Sequence, residues 1–217
     1  MYDKENSLEV QKNEDIKISI VIPAHNEEKY IGKCLESILK ASKSFENQVE
    51  VIVVLNRCTD RTEEIAKSYN CILLKNSDKN LSKIRNAGVD IARGEIIVTI
   101  DADTLMNEHL LSKAVENLIS GKYIGGGGVT GKFERMSLGI FVSALLLIGP
   151  LFFKYGAISV GIFWCYKKDF QAINGFNENM LMAEDADFAK RLKAWGKEAR
   201  KKIRDNSKWD DHFKQKI

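Results

Sequence analysis

Four short apolar runs, "IKISIVI" (16–22), "VEVIVVL" (49–55), "CILL" (71–74) and "EIIVTI" (95–100), limit what this chain can fold into. They are rich in β-branched residues and almost continuously apolar, the pattern of strands buried on both faces. The segments between them have helical period instead. From Glu27 to about Lys43, the residues Tyr30, Ile31, Cys34, Leu35, Ile38 and Leu39 recur on one helix face. Thr59 precedes a helix through "RTEEIAKSY", Ser82 opens one through "KIRNAGVDIA" that Gly94 closes, and another is expected near 107–120. Strand and helix in alternation predict an α/β domain, a mostly parallel sheet sandwiched by helices. A chain of 217 residues suits a single such domain with a substantial core. The domain is expected over 16–217, after a polar, flexible segment at 1–15 that lacks the apolar stretch of a signal peptide.

The later part of the chain reads less regularly. "YIGGGGVTG" is expected as a strand, with Gly125 to Gly128 as a flexible strand edge; no Lys-Ser/Thr follows to make it a phosphate loop. "LGIFVSALLLIGPLFF" (138–153) has no charge but falls short of the roughly 20 residues of a membrane span. It suits a core or lid helix, or an interfacial membrane contact. "AISVGIFWCY" reads as a strand and "DFQAINGFNE" as a short helix and turn. "AEDADFAKRLKAWG" reads as a helix with acids in its first turn and bases in its last, which suits the helix dipole. Lys190 to Arg204 holds eight Lys or Arg against one acid, Glu198, and serves as a solvated helix face or an anionic-surface contact.

In open parallel sheets, ligands bind beyond the carboxyl ends of the strands. Here those ends carry "PAHNEE", "NRCTD" and "DADT". Asp101 and Asp103 are two apart on an extended chain, so both point to one face and repel. They sit in open water, with Asp103 capping the next helix, or they hold a cation. No Cys or His stands at matched spacing, so a hard ion, Mg²⁺ or Mn²⁺, is expected, completing its shell with water and substrate phosphates. The four cysteines are scattered without C-x-x-C spacing, which argues against zinc or a redox pair and for reduced thiols in the cytoplasm. A net charge of only +3 excludes a nucleic-acid binder by bulk electrostatics.

From Ile18 to about Gly196 the chain resembles the family 2 glycosyltransferases, which have the Rossmann-like GT-A fold. "ISIVIPAHNEEKYIGKCLESIL", "EVIVVLNRCTDRTEEIA", "LSKIRNAGVDIARGEIIVTIDADT" and "INGFNENMLMAEDADFAKRL" resemble that family's successive motifs in order. The resemblance implies a nucleotide-binding half (16–104), an acceptor-binding half (105–217), and a metal-dependent, inverting transfer from a nucleotide-diphosphate sugar to an acceptor hydroxyl or phosphate. Pro23, Ala24 and Glu27 then border the base and ribose, while His25 and Asn26 shape the loop and Asp60 caps a helix or orders the turn. Asn56 stands where the family commonly has an Asp that recognises the base edge. An amide both donates and accepts, so the base stays open. Arg85 reaches the ribose or diphosphate, or is ion-paired.

Within the D-x-D of Asp101, Ala102 and Asp103, Asp101 meets the ribose or a metal water and Asp103 binds the metal. Asp185 is the implied general base and Glu184 orients it or the acceptor. Gly161 resembles a glycine turn that lets backbone approach the donor sugar, or accommodates close packing. His212 is a further metal ligand or part of a frayed terminus, and His109 is exposed. The acceptor is a glycan, a lipid-linked or a small molecule. The expected place is the cytoplasm, at the inner membrane face if 138–153 and the basic run make a peripheral contact. A nucleotidyltransferase and a catalytically silent nucleotide-sugar-binding domain are the alternatives.

Overall fold

The computed structural model describes residues 16–129, 161–180, 182–199 and 202–205. Within them the chain runs β1 (Ile18–Ala24), α1 (Ile31–Ser42), β2 (Val49–Asn56), α2 (Thr62–Ser68), β3 (Ile72–Asn76), α3 (Leu81–Asp90) and β4 (Ile96–Ile100). It continues with α4 (Leu110–Ile119), β5 (Tyr123–Val129), β6 (Gly161–Tyr166), α5 (Lys167–Ala172), α6 (Glu184–Glu198) and β7 (Lys202–Asp205). The strands form one sheet in the order β3-β2-β1-β4-β6-β5-β7. Only β6 is antiparallel to its neighbours among the described strands.

Alternation along each strand divides the core between two faces. Ile20 and Ile22 face one way with Val53, Leu55, Val98 and the α1 residues Ile31, Leu35 and Ile38. Val21, Ile52, Val54 and Ile97 face the other way with Ile84 and Val89 of α3 and four phenylalanines. Phe176 and Phe188 stack at 4.4 Å between centroids, and Phe163 meets Phe188 edge-on at 5.4 Å. That cluster seats α6 over β6.

The helix expected from Glu27 begins at Ile31. The Glu27 and Glu28 amides are drawn away to Thr62 Oγ1 and Asp60 Oδ2, which holds 27–30 in a turn. Two other expectations are corrected. The glycine run is not a sheet edge, because β5 lies between β6 and β7. A Cβ on Gly125 would sit 2.6 Å from the Trp164 carbonyl oxygen and 2.9 Å from Leu192, so glycine there admits close packing. The basic run is not one helix: α6 ends at Glu198 and Lys202–Asp205 pair as β7. The segment 1–15, the whole apolar run with its flanks (130–160), and His212 lie outside the described residues.

Two features of this topology position a site. The order turns back at β1, between β2 and β4, and the crevice at such a reversal is where doubly wound sheets bind ligands. Antiparallel β6 begins where β4 ends: Ile100 pairs with Ile162, and the Asp101 amide donates to the Gly161 carbonyl at 3.0 Å.

Helix α3 lies close on β1 and β2 at Gly88, where a Cβ would overlap Val21 and come within 2.8 Å of Val54. Gly88→Ala should therefore lower stability by about 1–3 kcal/mol, read as a fall in the urea midpoint. An unchanged midpoint would mean that α3 does not sit this close.

Candidate active site

The tips of β1 and β2 are laced together. His25 Nδ1 hydrogen-bonds the Asn56 carbonyl oxygen, and Asn26, left-handed at φ 57°, accepts from the Thr59 amide at 2.8 Å. Asp60 accepts from the Thr62 hydroxyl and amide through Oδ1 and from the Glu28 amide through Oδ2. His25, Asn26 and Asp60 are thus loop-building residues, as their sequence context implies. Pro23 and Ala24 end the buried strand β1 below them. Glu27 is half-buried; burial first, then Asp103 and Asp60, push its carboxyl above the ordinary value. Asn56 is 2% exposed and spends both amide hydrogens on the carbonyls of Asn76 and Asp78, at 3.0 and 2.7 Å. As placed, it organises the loop after β3.

At the tip of β4 the D-x-D lies not on an extended chain but in a turn, closed by the Thr104 amide donating to the Asp101 carbonyl oxygen at 3.0 Å. Ala102 is buried, Asp101 half-buried and Asp103 exposed. Gly161 faces this tip with φ +94°, a backbone conformation that favours glycine, and an added Cβ would lie 3.2 Å from Thr104 Oγ1 and 3.6 Å from Asp101 Oδ2.

Arg85 joins this tip to α6. Its side chain is only 3% exposed, and its fork reaches Asp101 at 2.8 Å, Asp185 at 2.9 Å and Glu184 at 3.0 Å. Its guanidinium also lies 5.1 Å from the centre of the Phe176 ring, and its buried Nε has no acceptor among the described residues. Burial alone would lower the Arg85 pKa, but Asp185 and Asp101 outweigh it and raise the value. The sequence suggested a ribose or diphosphate contact or an ion pair for Arg85. In the structure its fork is spent on three carboxylates.

One positive charge among three carboxylates leaves a deficit. Burial pushes the Asp185 carboxyl up to about 6; Arg85 pulls it down, while Glu184 and Asp101 add to the rise. Asp185 is thus held near the point where it can take a proton at neutral pH. Ala183, just ahead of α6, is left-handed at φ 60°, which fixes how the helix presents both acids.

Two asparagines on or beside α3 also belong to the site's frame. Asn86 donates to the Phe176 carbonyl at 2.9 Å and accepts from the Phe176 amide at 2.9 Å. Asn80 caps α3 and donates to the carbonyls of Glu178 and Met180, both at 2.9 Å. Together they hold the segment leading into Glu184. The Asn80 role had a visible signal, since an asparagine just ahead of a helical pattern reads as a cap. The Asn86 pairing had none.

The residues present fit a hard divalent cation. No group of three or more His, Cys, Asp or Glu side chains is gathered as a metal cage among the described residues. An ion here would rest on Asp103, with Asp101 beside it, and take the rest of its shell from phosphate oxygens and water. No helix among the described residues is long and apolar enough to cross a membrane.

A doubly wound sheet with paired aspartates at the β4 tip and an acidic pair facing them across one arginine is the GT-A architecture. The family model described as glycosyl transferase family 2 matches residues 19–144, more than half of the sequence, and the chain belongs to that family. A second model, the N-terminal domain of galactosyltransferase, matches residues 150–204. The glycosyltransferase GlyG of Streptococcus pneumoniae serotype 4 is 30% identical over 100 residues, 43% of this chain and 32% of GlyG. A crystal structure of Staphylococcus aureus TarS aligns over 82% of this chain and 55% of that one, at 23% identity and TM-score 0.64. The mannosyltransferase PcManGT of Pyrobaculum calidifontis, solved with GDP-Man and Mn²⁺, aligns over 86% and 53%, at 20% identity and TM-score 0.66. The chain thus spans about a third to a half of these relatives.

The raised Asp185 pKa carries a stability consequence. In the fold Asp185 keeps its proton to about pH 6, against 3.8 ordinarily, so its ionisation erodes stability as pH rises between those values. Asp185→Asn should be more stable than the wild type at pH 7.5 by about 3 kcal/mol, with the gap closing by about pH 4. Equal stabilities at both ends of that range would remove the claim of a strained carboxylate.

Proposed function

We propose that the chain is a metal-dependent, inverting transferase that moves a sugar from a nucleotide diphosphate to an acceptor hydroxyl. The observation that carries this reading is Asp185, held near neutrality and tied through Arg85 to the D-x-D. In the proposed step Asp185 takes the proton of the acceptor hydroxyl, whose oxygen bonds to the anomeric carbon. The bond from that carbon to the phosphate oxygen breaks, and the nucleoside diphosphate leaves. One displacement inverts the configuration, so one base suffices and no carboxylate nucleophile is needed. A divalent ion bound at Asp103 would neutralise charge on the departing diphosphate.

The chain's own residues supply the rest. Pro23, Ala24 and Glu27 border the nucleoside, with Asn56 holding the floor beside it. Gly161 lets the donor sugar approach the β6 backbone. Asp101 keeps Arg85 in place and meets the ribose or a water of the ion, and Glu184 holds the other side of Arg85 while orienting the acceptor. Glycan, lipid-linked and small-molecule acceptors all suit this chemistry.

Two results test the assignment. With whichever acceptor class supports turnover, kcat/KM should rise with pH through about 6 and level off above it, because the base must be ionised. Asp185→Asn should lower kcat by about 10²–10⁴-fold while nucleotide affinity stays within about threefold. Unchanged turnover in that variant would move the base elsewhere. A wild type that binds nucleotide sugar but never turns over would favour a silent binding domain.

A further inference from the structure

The transfer proposed above needs an oxygen of Asp185 free to take the acceptor's proton, and the posture of Arg85 decides whether one is. A guanidinium and a carboxylate frequently meet through two parallel hydrogen bonds, fork to fork. Arg85 does otherwise. Its Nη1 donates to Asp185 Oδ1 at 2.9 Å and to Glu184 Oε1 at 3.0 Å, and its Nη2 donates to Asp101 Oδ1 at 2.8 Å. Each acid is met at one oxygen, and no donor among the described residues engages Asp185 Oδ2. The charged groups that face Asp185 among the described residues are Arg85 from α3, Asp101 from the β4 tip, and Glu184 beside it on α6.

To pair with both oxygens of Asp185 the guanidinium would have to turn from its present place. Its own hydrogen bonds do not forbid that, since the buried Nε still lacks an acceptor among the described residues. The ring of Phe176 does. Arg85 Cζ lies over that ring, 5.1 Å from its centre, and a cation so placed is drawn to the ring's negative face. The ring itself is fixed. It is 1% exposed, stacks on Phe188 at 4.4 Å, and meets Phe170 and Phe163 edge-on at 5.8 and 6.2 Å. Its backbone is fixed as well, because Asn86 holds the Phe176 amide and carbonyl by hydrogen bonds of 2.9 Å each. Helix α3 thus carries the arginine and, at the next residue, the clamp on the ring beneath it.

We propose that Phe176, clamped by Asn86, is a positioning residue for the transfer: it holds the Arg85 fork across three acids and so keeps Asp185 Oδ2 free for the acceptor proton. This rests on the transferase reading, since only a base needs that oxygen. The ring touches neither donor nor acceptor and acts through Arg85 alone.

Fluorinated phenylalanines in place of Phe176 test this, because fluorine drains the negative ring face while nearly keeping the ring's shape. In crystals of the pentafluoro protein, Arg85 should contact both oxygens of Asp185, against one in the wild type. Turnover should fall in step with the number of fluorines, with kcat down about tenfold at five, while the donor KM stays within about threefold. Pentafluorophenylalanine in place of Phe170, which packs against Phe176 but is not the ring beneath Arg85, should leave the fork and kcat unchanged. An unmoved fork, or a kcat indifferent to fluorination at 176, would overturn the proposal. So would equal losses at 170 and 176, which would mark a general loss of packing. A wild type that never turns over would bring down the transferase reading, and the two crystal structures would still show whether Phe176 sets the fork.

Discussion

One buried guanidinium ties α3 to the end of β4 and to the start of α6. Arg85 stands on α3, reaches Asp101 at the end of β4, and reaches Glu184 and Asp185 at the start of α6. Removing it would leave three carboxylates facing one another with no counter-charge, a costly arrangement at this depth. Everything nearby serves that placement. Gly88 lets α3 lie close on β1 and β2, and Asn86 and Asn80 fasten the chain that leads into α6. Gly175, at φ +60°, allows Asn86 its approach, since a Cβ there would come within 2.6 Å of Asn86 Oδ1.

The same interaction leaves a charge deficit, and the proposed chemistry rests on it. Burial and two neighbouring carboxylates, against one shared arginine, leave Asp185 with a pKa near 6. A fully neutralised cluster would be more stable, but it would hold no carboxyl that titrates near neutral pH. Stability given up at a carboxylate proposed as a base is a familiar trade. Glu50, at the opposite end of the sheet, is held by Ser19 at 2.6 Å and by the Arg93 amide and Nε at 2.6 and 2.8 Å. Burial would raise its pKa, but those bonds outweigh it and hold the carboxyl below its ordinary value.

Much of this was legible in the residues. The strands β1 to β4 follow their apolar runs to within two residues, because a strand buried on both faces admits little else. The D-x-D and the Glu-Asp pair were visible because unpaired acids at element ends are chemically conspicuous. What could not be read was long-range. Arg85 and its three partners lie 16, 99 and 100 residues apart, and no local pattern encodes such a meeting. Strand β7 is four residues of mostly charged sequence, and only the free edge of β5 makes it a strand. The glycine run looked flexible because local propensity says so, whereas at Gly125 its neighbours require a glycine. Asn56 marks a subtler limit: its position pointed to a base contact, but its hydrogen bonds turn it inward and leave Arg57 facing out.

The central claim is that Asp185 stays under-compensated because it shares Arg85 with Asp101 and Glu184. The most direct measurement is a carbon-13 NMR titration of the Asp185 side-chain carboxyl in the folded protein, assigned by its loss in Asp185→Asn. A midpoint near 6 is the expected result. A midpoint in the ordinary aspartate range, about 4, would mean that Arg85 satisfies Asp185 fully, and the account of base and charge deficit would be contradicted.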